Sequence, residues 1–199
     1  TYNVTDSSGN QAVEVTRTVT VSESGLFLST DAFALVEGET DSFGVKLKAA
    51  PLGSVVINLT SSDEAEVTLS TATLTFNDNN WDTEQTVIIS AVDDYNLDDS
   101  SAEVTLAVDK SISHSSFHNV ADKTISISIE NNDTALGLIE QFNNGDGTTP
   151  PPPSLSLYQQ ELGITGITQD NLVLVNAAVL VADAGGADTV AKIQAIVDA

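Results

Sequence analysis

The sequence contains no cysteine and no methionine, and it is poor in basic residues. Without cysteine, neither disulfide bonds nor thiolate metal sites are available to it. Only 6 lysines and arginines stand against 29 acidic residues, so the 199-residue chain has a formal net charge of −23. This charge argues against nucleic acid and anionic membranes as partners, because binding to phosphate requires the opposite sign.

Long apolar runs are also absent. No hydrophobic segment approaches the roughly 20 residues of a transmembrane helix, so we predict no membrane insertion. The sequence has no signal peptide and starts within a strand-like pattern without a methionine. We therefore expect a segment of a longer polypeptide. Its abundance of Thr, Ser, Val, Asp and Asn with few lysines favours a secreted bacterial protein.

The central region, residues 23–134, alternates apolar and polar residues in about seven short segments separated by turn residues. This pattern predicts a mainly β protein with an immunoglobulin-like β-sandwich of about seven strands. Nineteen of the 29 acidic residues lie in 25–133, together with four lysines. The alternating apolar residues are Phe43, Val45, Leu47, Val55, Ile57, Leu59, Leu74, Phe76, Val87, Ile89, Ala91, Val104, Leu106, Val108, Ile125, Ile127 and Ile129.

The regions on either side have different patterns. Residues 1–22 read as two strands around the turn-rich segment 5–10. Residues 135–153 show no periodicity, contain Gly-rich and Pro-rich runs and are predicted to form a linker. Residues 154–199 change to helical spacing and predict a small three-helix C-terminal module. The first helix is expected at 155–161. The second is expected to follow a cap at Thr168 or Asp170 and to end at Gly185-Gly186, and the third to follow a cap at Asp188.

The densest group of acidic residues follows one of the predicted strands. Asp93, Asp94, Asp98 and Asp99 fall within seven residues, with no lysine or arginine nearby. Like charges this close repel one another unless a cation lies among them, and clustered carboxylates suit a hard divalent cation, above all Ca²⁺. A solvated acidic loop without an ion is the alternative interpretation.

Other motifs give little support for catalysis. His114 and His118 are four residues apart, but they lie between predicted strands, where we expect a polar loop rather than a metal site. No Gly-x-Ser-x-Gly elbow occurs. Asp93 and Asp98 could act as paired carboxylates on a glycan, but no substrate cleft is recognisable. Trp81 is interpreted as a core residue near the start of a strand.

The central region resembles the Calx-β domain, a calcium-binding β-sandwich. The residues that carry the resemblance are Val36-Glu37-Gly38, Asn80-Trp81-Asp82, Gln85-Thr86-Val87, Asp93-Asp94 and Glu130-Asn131-Asn132-Asp133. In that family, calcium binds at one end of the sandwich, between loops whose acids are distant in sequence. The resemblance implies a metal site formed by Glu37, Asp63, Asp93, Asp94, Asp98 and Asp133, with Asp63 the least closely matched.

One departure from the family pattern affects the expected affinity. The strongest binders end in several consecutive aspartates, whereas this chain has Asn131-Asn132-Asp133. The lower charge implies weaker binding or fewer ions.

The flanking regions carry resemblances of their own. Residues 1–22 are similar to the C-terminal hairpin of an upstream immunoglobulin-like domain of the bacterial HYR type, through Tyr2, Val4, Asp6, Gly9, Asn10, Arg17, Val19 and Val21. The C-terminal region is similar to a small helical repeat of large secreted bacterial proteins, through residues 145–150, 163–168, 170–172, 175–178 and 186–198. Both resemblances imply a modular protein.

Together these observations predict a non-catalytic structural or adhesive segment of a large bacterial protein that is secreted or at the cell surface. Ca²⁺ at the acidic end of the sandwich would stiffen the array of modules. The expected partners are Ca²⁺, neighbouring modules of the same chain and a surface protein or glycan. One alternative is that these are accessory modules of a secreted hydrolase whose catalytic domain lies elsewhere. Another is that the helical module is itself a ligand-binding domain.

Overall fold

Nine β-strands form in the central part of the chain, in a computed structural model that describes residues 5, 7–11, 23–145, 150–182 and 186–199. The strands are β1 (Leu26–Leu28), β2 (Ala32–Val36), β3 (Thr40–Leu47), β4 (Val55–Ser61), β5 (Val67–Leu69), β6 (Thr73–Phe76), β7 (Gln85–Ala91), β8 (Ser100–Val108) and β9 (Lys123–Glu130).

The strands form two sheets. One has the order β1-β3-β7-β5, and the other has the order β2-β9-β8-β4-β6. All pairs are antiparallel except β2 and β9, which run parallel with Val36 opposite Glu130. Because β2 and β9 are parallel neighbours, the residues that follow them leave the sheet side by side. This pairing positions the site described below.

The core lies between the two sheets and explains why the alternating pattern forms strands. Successive residues of a strand point to opposite faces, so every second side chain is directed inward. Phe43 and Ile89 of the first sheet are buried in one cluster with Ile57, Val104 and Ile127 of the second. The predicted immunoglobulin-like β-sandwich is therefore confirmed.

Three strands, β1, β2 and β5, contain none of the alternating residues from which about seven strands were predicted. β1 and β5 have only three residues each, too few for alternation to be recognised in the sequence. Each nevertheless buries an apolar residue, Leu26 in β1 and Val67 in β5. Trp81 packs against the same core, as expected.

Three α-helices and a π-helical turn follow the sandwich. The α-helices are α1 (Ala135–Asn144), α2 (Leu172–Leu180) and α3 (Val190–Asp198), and the π-helical turn is Leu157–Glu161. They enclose a second, smaller core that is separate from the first. Its buried residues are Ile139, Phe142, Tyr158, Ile164, Ile167, Val175, Val179, Ala187 and Ile193.

Helix α1 corrects the prediction that residues 135–153 form a linker throughout. Ile139 and Phe142 of α1 are buried in the second core. Asn143 also donates hydrogen bonds to the carbonyl oxygens of Val179 (2.6 Å) and Ala182 (3.1 Å), near the carboxyl end of α2. The first helix of this part of the chain therefore starts directly after the sandwich.

The helix boundaries also differ in detail from the prediction. Helix α3 is capped by Thr189, whose hydroxyl accepts from the Lys192 amide, and not by Asp188. Helix α2 has Asn171 at its N-cap, without a capping side-chain bond, rather than Thr168 or Asp170. It ends at Leu180, before the predicted stop at Gly185-Gly186, and Gly185 lies outside the described residues.

Most of the predicted N-terminal hairpin, residues 1–22, lies outside the described residues. Within 5 and 7–11, Thr5 and Gln11 form an isolated antiparallel bridge around the predicted turn. In the part of the chain that the structure describes, no helix is both long enough and apolar enough to cross a membrane.

Candidate metal site

Three carboxylates from distant parts of the sequence meet at one end of the sandwich. Oxygen atoms of Glu37, Asp93 and Asp133 all lie within 4.8 Å of one another. Glu37 directly follows β2, Asp93 follows β7 by two residues and Asp133 follows β9 by three. Since β7 belongs to one sheet and β2 and β9 to the other, the site spans the two sheets.

A tight turn places Glu37. The amide of Glu39 donates to the carbonyl oxygen of Val36 (3.0 Å), which closes a turn over residues 36–39. Gly38 has φ +77°, a backbone conformation that glycine adopts without steric cost. The Glu37 amide donates to the carbonyl oxygen of Glu130 (3.1 Å), which extends the β2–β9 pairing by one residue. The Val36-Glu37-Gly38 motif thus fixes the first carboxylate.

Two asparagines connect the end of β9 to the rest of the site. The side-chain amide of Asn132 donates to the carbonyl oxygen of Glu37 (2.9 Å), and its backbone amide approaches Glu37 Oε2 (3.4 Å). Asn131 accepts from the Asp133 amide (2.8 Å), while its own backbone amide donates to Asp99 Oδ1 (3.0 Å). The segment after β9 is therefore held both to Glu37 and to the acidic loop.

Burial and crowding make the site electrostatically unfavourable for its own charges. Glu37 is only 4% exposed. Desolvation is the main factor that raises its pKa, the carboxylates of Asp94, Asp133 and Asp93 raise it further, and the hydrogen bond from Asn132 opposes the shift. Desolvation, followed by repulsion from Asp93 and Asp94, raises the pKa of Asp133.

Among the described residues, no lysine, arginine or histidine forms an ion pair with Glu37, Asp93 or Asp133. Where both partners are described, the ion pair that the structure shows is the one between Lys192 and Asp188, which lies in the helical region. Asp133 Oδ2 is buried and has no hydrogen-bond partner among the described residues. A buried carboxylate oxygen without a partner is costly, and a cation bound between the three carboxylates would satisfy it. These residues therefore fit a hard divalent cation.

The other three predicted ligands lie outside this group of three. Asp94 is close enough to raise the pKa of Glu37 and Asp133, but its carboxylate accepts hydrogen bonds from Asn96. Asp98 is exposed, and its amide donates to Asn96 Oδ1 (2.9 Å). Asp63 is exposed and accepts from the Ala65 amide (2.9 Å) within its own turn. Calcium binding by any of the six residues stays a prediction.

Two acidic residues outside the predicted ligand set help to build this end of the sandwich. Asp99 accepts a hydrogen bond from the backbone amide of Asn131 and so links the acidic loop to the end of β9. Glu66 accepts from the Ser100 hydroxyl, and its carbonyl oxygen accepts from the Val92 amide (2.9 Å). The sequence marked Asp99 as part of the acidic run, but no local motif indicated Glu66.

The histidine pair lies where the sequence predicted a polar loop. His114 caps the 3₁₀ turn Ser115–Phe117 by accepting from the Ser116 amide, and a ring nitrogen of His118 lies 2.9 Å from the carbonyl oxygen of Ser113. Among the described residues, neither histidine belongs to a group of metal-ligating side chains.

Comparison with known proteins shows similarity only to solved structures. No protein-family model matches this chain. No curated protein matches it significantly in sequence. The chain is similar to domains 4 and 5 of the S-layer protein SbsC, with 16% identity, a TM-score of 0.37 and coverage of 55% of this chain and 53% of that chain. It thus spans about half of that structure's length.

Two further solved structures are similar to a comparable degree. The E. coli chaperone DraB has 8% identity and a TM-score of 0.39, with coverage of 60% of both chains. A chain of the Coh-OlpC-Doc435 cohesin–dockerin complex from Clostridium thermocellum has 11% identity and a TM-score of 0.39, with coverage of 58% of this chain and 99% of that chain. Similarities this distant do not define a function.

Proposed function

We propose that this chain is a non-catalytic segment of a large extracellular bacterial protein, in which a Calx-β-like sandwich binds Ca²⁺ at its acidic end. The observation that carries the proposal is the convergence of Glu37, Asp93 and Asp133 from three strand ends, together with the buried, unpartnered oxygen of Asp133. The Calx-β assignment itself rests on the sequence motifs, of which Val36-Glu37-Gly38 forms the turn at the site.

The donor set favours calcium over other metal ions. All three residues offer carboxylate oxygens, which are the ligands that hard cations prefer. Zinc and copper sites in proteins usually include histidine or cysteine, and neither contributes to this group. Calcium also accepts irregular arrangements of six to eight oxygens, whereas magnesium requires near-octahedral geometry. Ligands from three separate strand ends suit the more flexible ion.

The proposed function of the bound ion is to stiffen the exit from the sandwich. Asp133 is followed directly by Thr134, which caps helix α1 by accepting from the Gly137 amide (3.1 Å). A cation held by Asp133, Glu37 and Asp93 would tie this exit to β2 and β7. Without the cation, repulsion among the carboxylates would loosen the same segment. Calcium would therefore restrict the motion of the helical region relative to the sandwich.

Small-angle X-ray scattering of the full chain tests this function. We expect a narrower distribution of shapes in calcium than in chelator, because the ion fixes the residues that lead into α1. The double variant Asp93→Asn/Asp94→Asn serves as the control, and its profile should not respond to calcium. Identical shape and flexibility of the wild-type chain in both conditions would rule out stiffening.

A further inference from the structure

Asn132 forms two hydrogen bonds to Glu37, so its effect on the proposed cation site is more than the loss of one negative charge. By charge counting, an asparagine here weakens a cation site in comparison with an aspartate. In the structure, however, the side-chain amide of Asn132 donates to the carbonyl oxygen of Glu37 (2.9 Å), and its backbone amide approaches Glu37 Oε2 (3.4 Å). One residue thus holds both the backbone and the carboxylate of the most buried acid of the site.

An aspartate cannot make the first of these bonds. An ionised carboxylate only accepts hydrogen bonds, so Asn132→Asp would place a second acceptor against the Glu37 carbonyl oxygen. The repulsion would move either residue 132 or the turn at residues 36–39. Either movement would displace Glu37 from Asp93 and Asp133, whose oxygens now lie within 4.8 Å of its own.

We propose that Asn132 is a positioning residue, whose side-chain amide keeps Glu37 in place for the cation and contributes more to calcium affinity than an added carboxylate would. This inference rests on the proposed calcium function. Its physical basis is preorganisation: a ligand group that is already held in the binding geometry loses less conformational freedom when the ion binds.

Two substitutions at this position separate the effect of the amide from the effect of charge. Asn132→Ala removes the donor without adding charge, and Asn132→Asp removes the donor and adds a carboxylate. If positioning dominates, both variants weaken calcium binding, by about five- to tenfold for the loss of one hydrogen bond. If charge dominates, Asn132→Asp binds calcium at least as tightly as the wild type, and that result would overturn the inference.

The experiment is a calorimetric titration of calcium into the full chain, with Asn119→Asp as the matched control. Asn119 is exposed and precedes β9, so it lies at the opposite end of the sandwich from the site. The control adds the same charge, and we expect its dissociation constant to stay within about twofold of the wild type.

Thermal unfolding in chelator separates positioning from a purely structural role. A purely structural role would lower the unfolding temperature of Asn132→Ala and leave its calcium affinity unchanged, which would also overturn the inference. Absence of saturable binding by the wild-type chain would instead reject the proposed function, and the inference with it. Calcium binding by the wild type together with equal or tighter binding by Asn132→Asp would reject the inference alone.

Discussion

At the scale of single residues, the cost of burying charge dominates the acidic end of the sandwich. Glu37 is almost fully buried, and Asp133 has an oxygen with no partner among the described residues. Their pKa values are raised chiefly because burial disfavours the ionised form, with repulsion from neighbouring carboxylates adding to it. At neutral pH the ion-free site therefore carries charges that destabilise the fold.

This cost predicts a specific dependence of stability on pH. A carboxyl group with a raised pKa in the folded state binds its proton more tightly there than in the unfolded chain. Protonated Glu37 therefore stabilises the fold below its ordinary pKa of 4.5, and this contribution is lost as the pH rises through the higher pKa of the folded state. In chelator, we therefore expect the free energy of unfolding of Glu37→Gln minus that of the wild type to increase as the pH rises above 4.5.

Urea unfolding of both proteins at a series of pH values measures that difference. A difference that stays constant as the pH rises from 4.5, the ordinary pKa of the Glu37 carboxyl, to neutral would contradict the raised pKa that burial gives this group. Excess calcium should reduce the pH dependence, because a bound cation favours the ionised form of Glu37.

The sequence predicted part of this site but could not define its limits. The resemblance to the Calx-β domain implied Glu37, Asp93 and Asp133 as ligands, and the structure brings these three together. The same resemblance also implied Asp98 and, less closely, Asp63, yet both lie in short turns, where each takes part in a local hydrogen bond. Whether an acidic residue bonds within its own turn or points toward other loops depends on backbone geometry that composition and spacing do not reveal.

At the scale of secondary-structure elements, alternation identified the long strands because one face of each is buried in a shared core. Helix α1 was missed for a different reason. Leu138, Ile139 and Phe142 have helical spacing, but Gly137 and the Gly- and Pro-rich residues that follow indicate a loop. The Ala, Leu, Glu and Gln residues of this segment favour a helix, and packing against the second core stabilises it despite the unfavourable Gly137.

This packing predicts where an independent helical fragment must begin. A fragment of residues 134–199 retains the apolar residues that α1 contributes to the second core, whereas residues 154–199 lack them. Truncating one buried Ile or Phe typically costs about 2–5 kcal/mol, and a small bundle has little stability to lose. We expect cooperative thermal unfolding by circular dichroism for 134–199 and none for 154–199. Equal cooperativity of the two fragments would show that α1 is dispensable.

At the scale of the whole molecule, charge is distributed unevenly along the sandwich. The proposed ligands lie at the end of the sandwich where β2, β7 and β9 finish. The four lysines of the sandwich lie toward the opposite end of the strands. Those lysines are Lys46, Lys48, Lys110 and Lys123. The chain reaches the sandwich at the lysine end through β1 and leaves it at the acidic end after β9. A cation at the acidic end would thus act at the exit toward α1.

Calorimetric titration of Ca²⁺ into the chelator-treated full chain tests the central claim most directly. We predict saturable binding that is lost in Asp93→Asn/Asp94→Asn and retained in Asp122→Asn, an exposed aspartate just before β9 at the opposite end. Wild-type protein that shows neither binding heat nor a rise in unfolding temperature with calcium would contradict the claim, as would undiminished binding by the double variant.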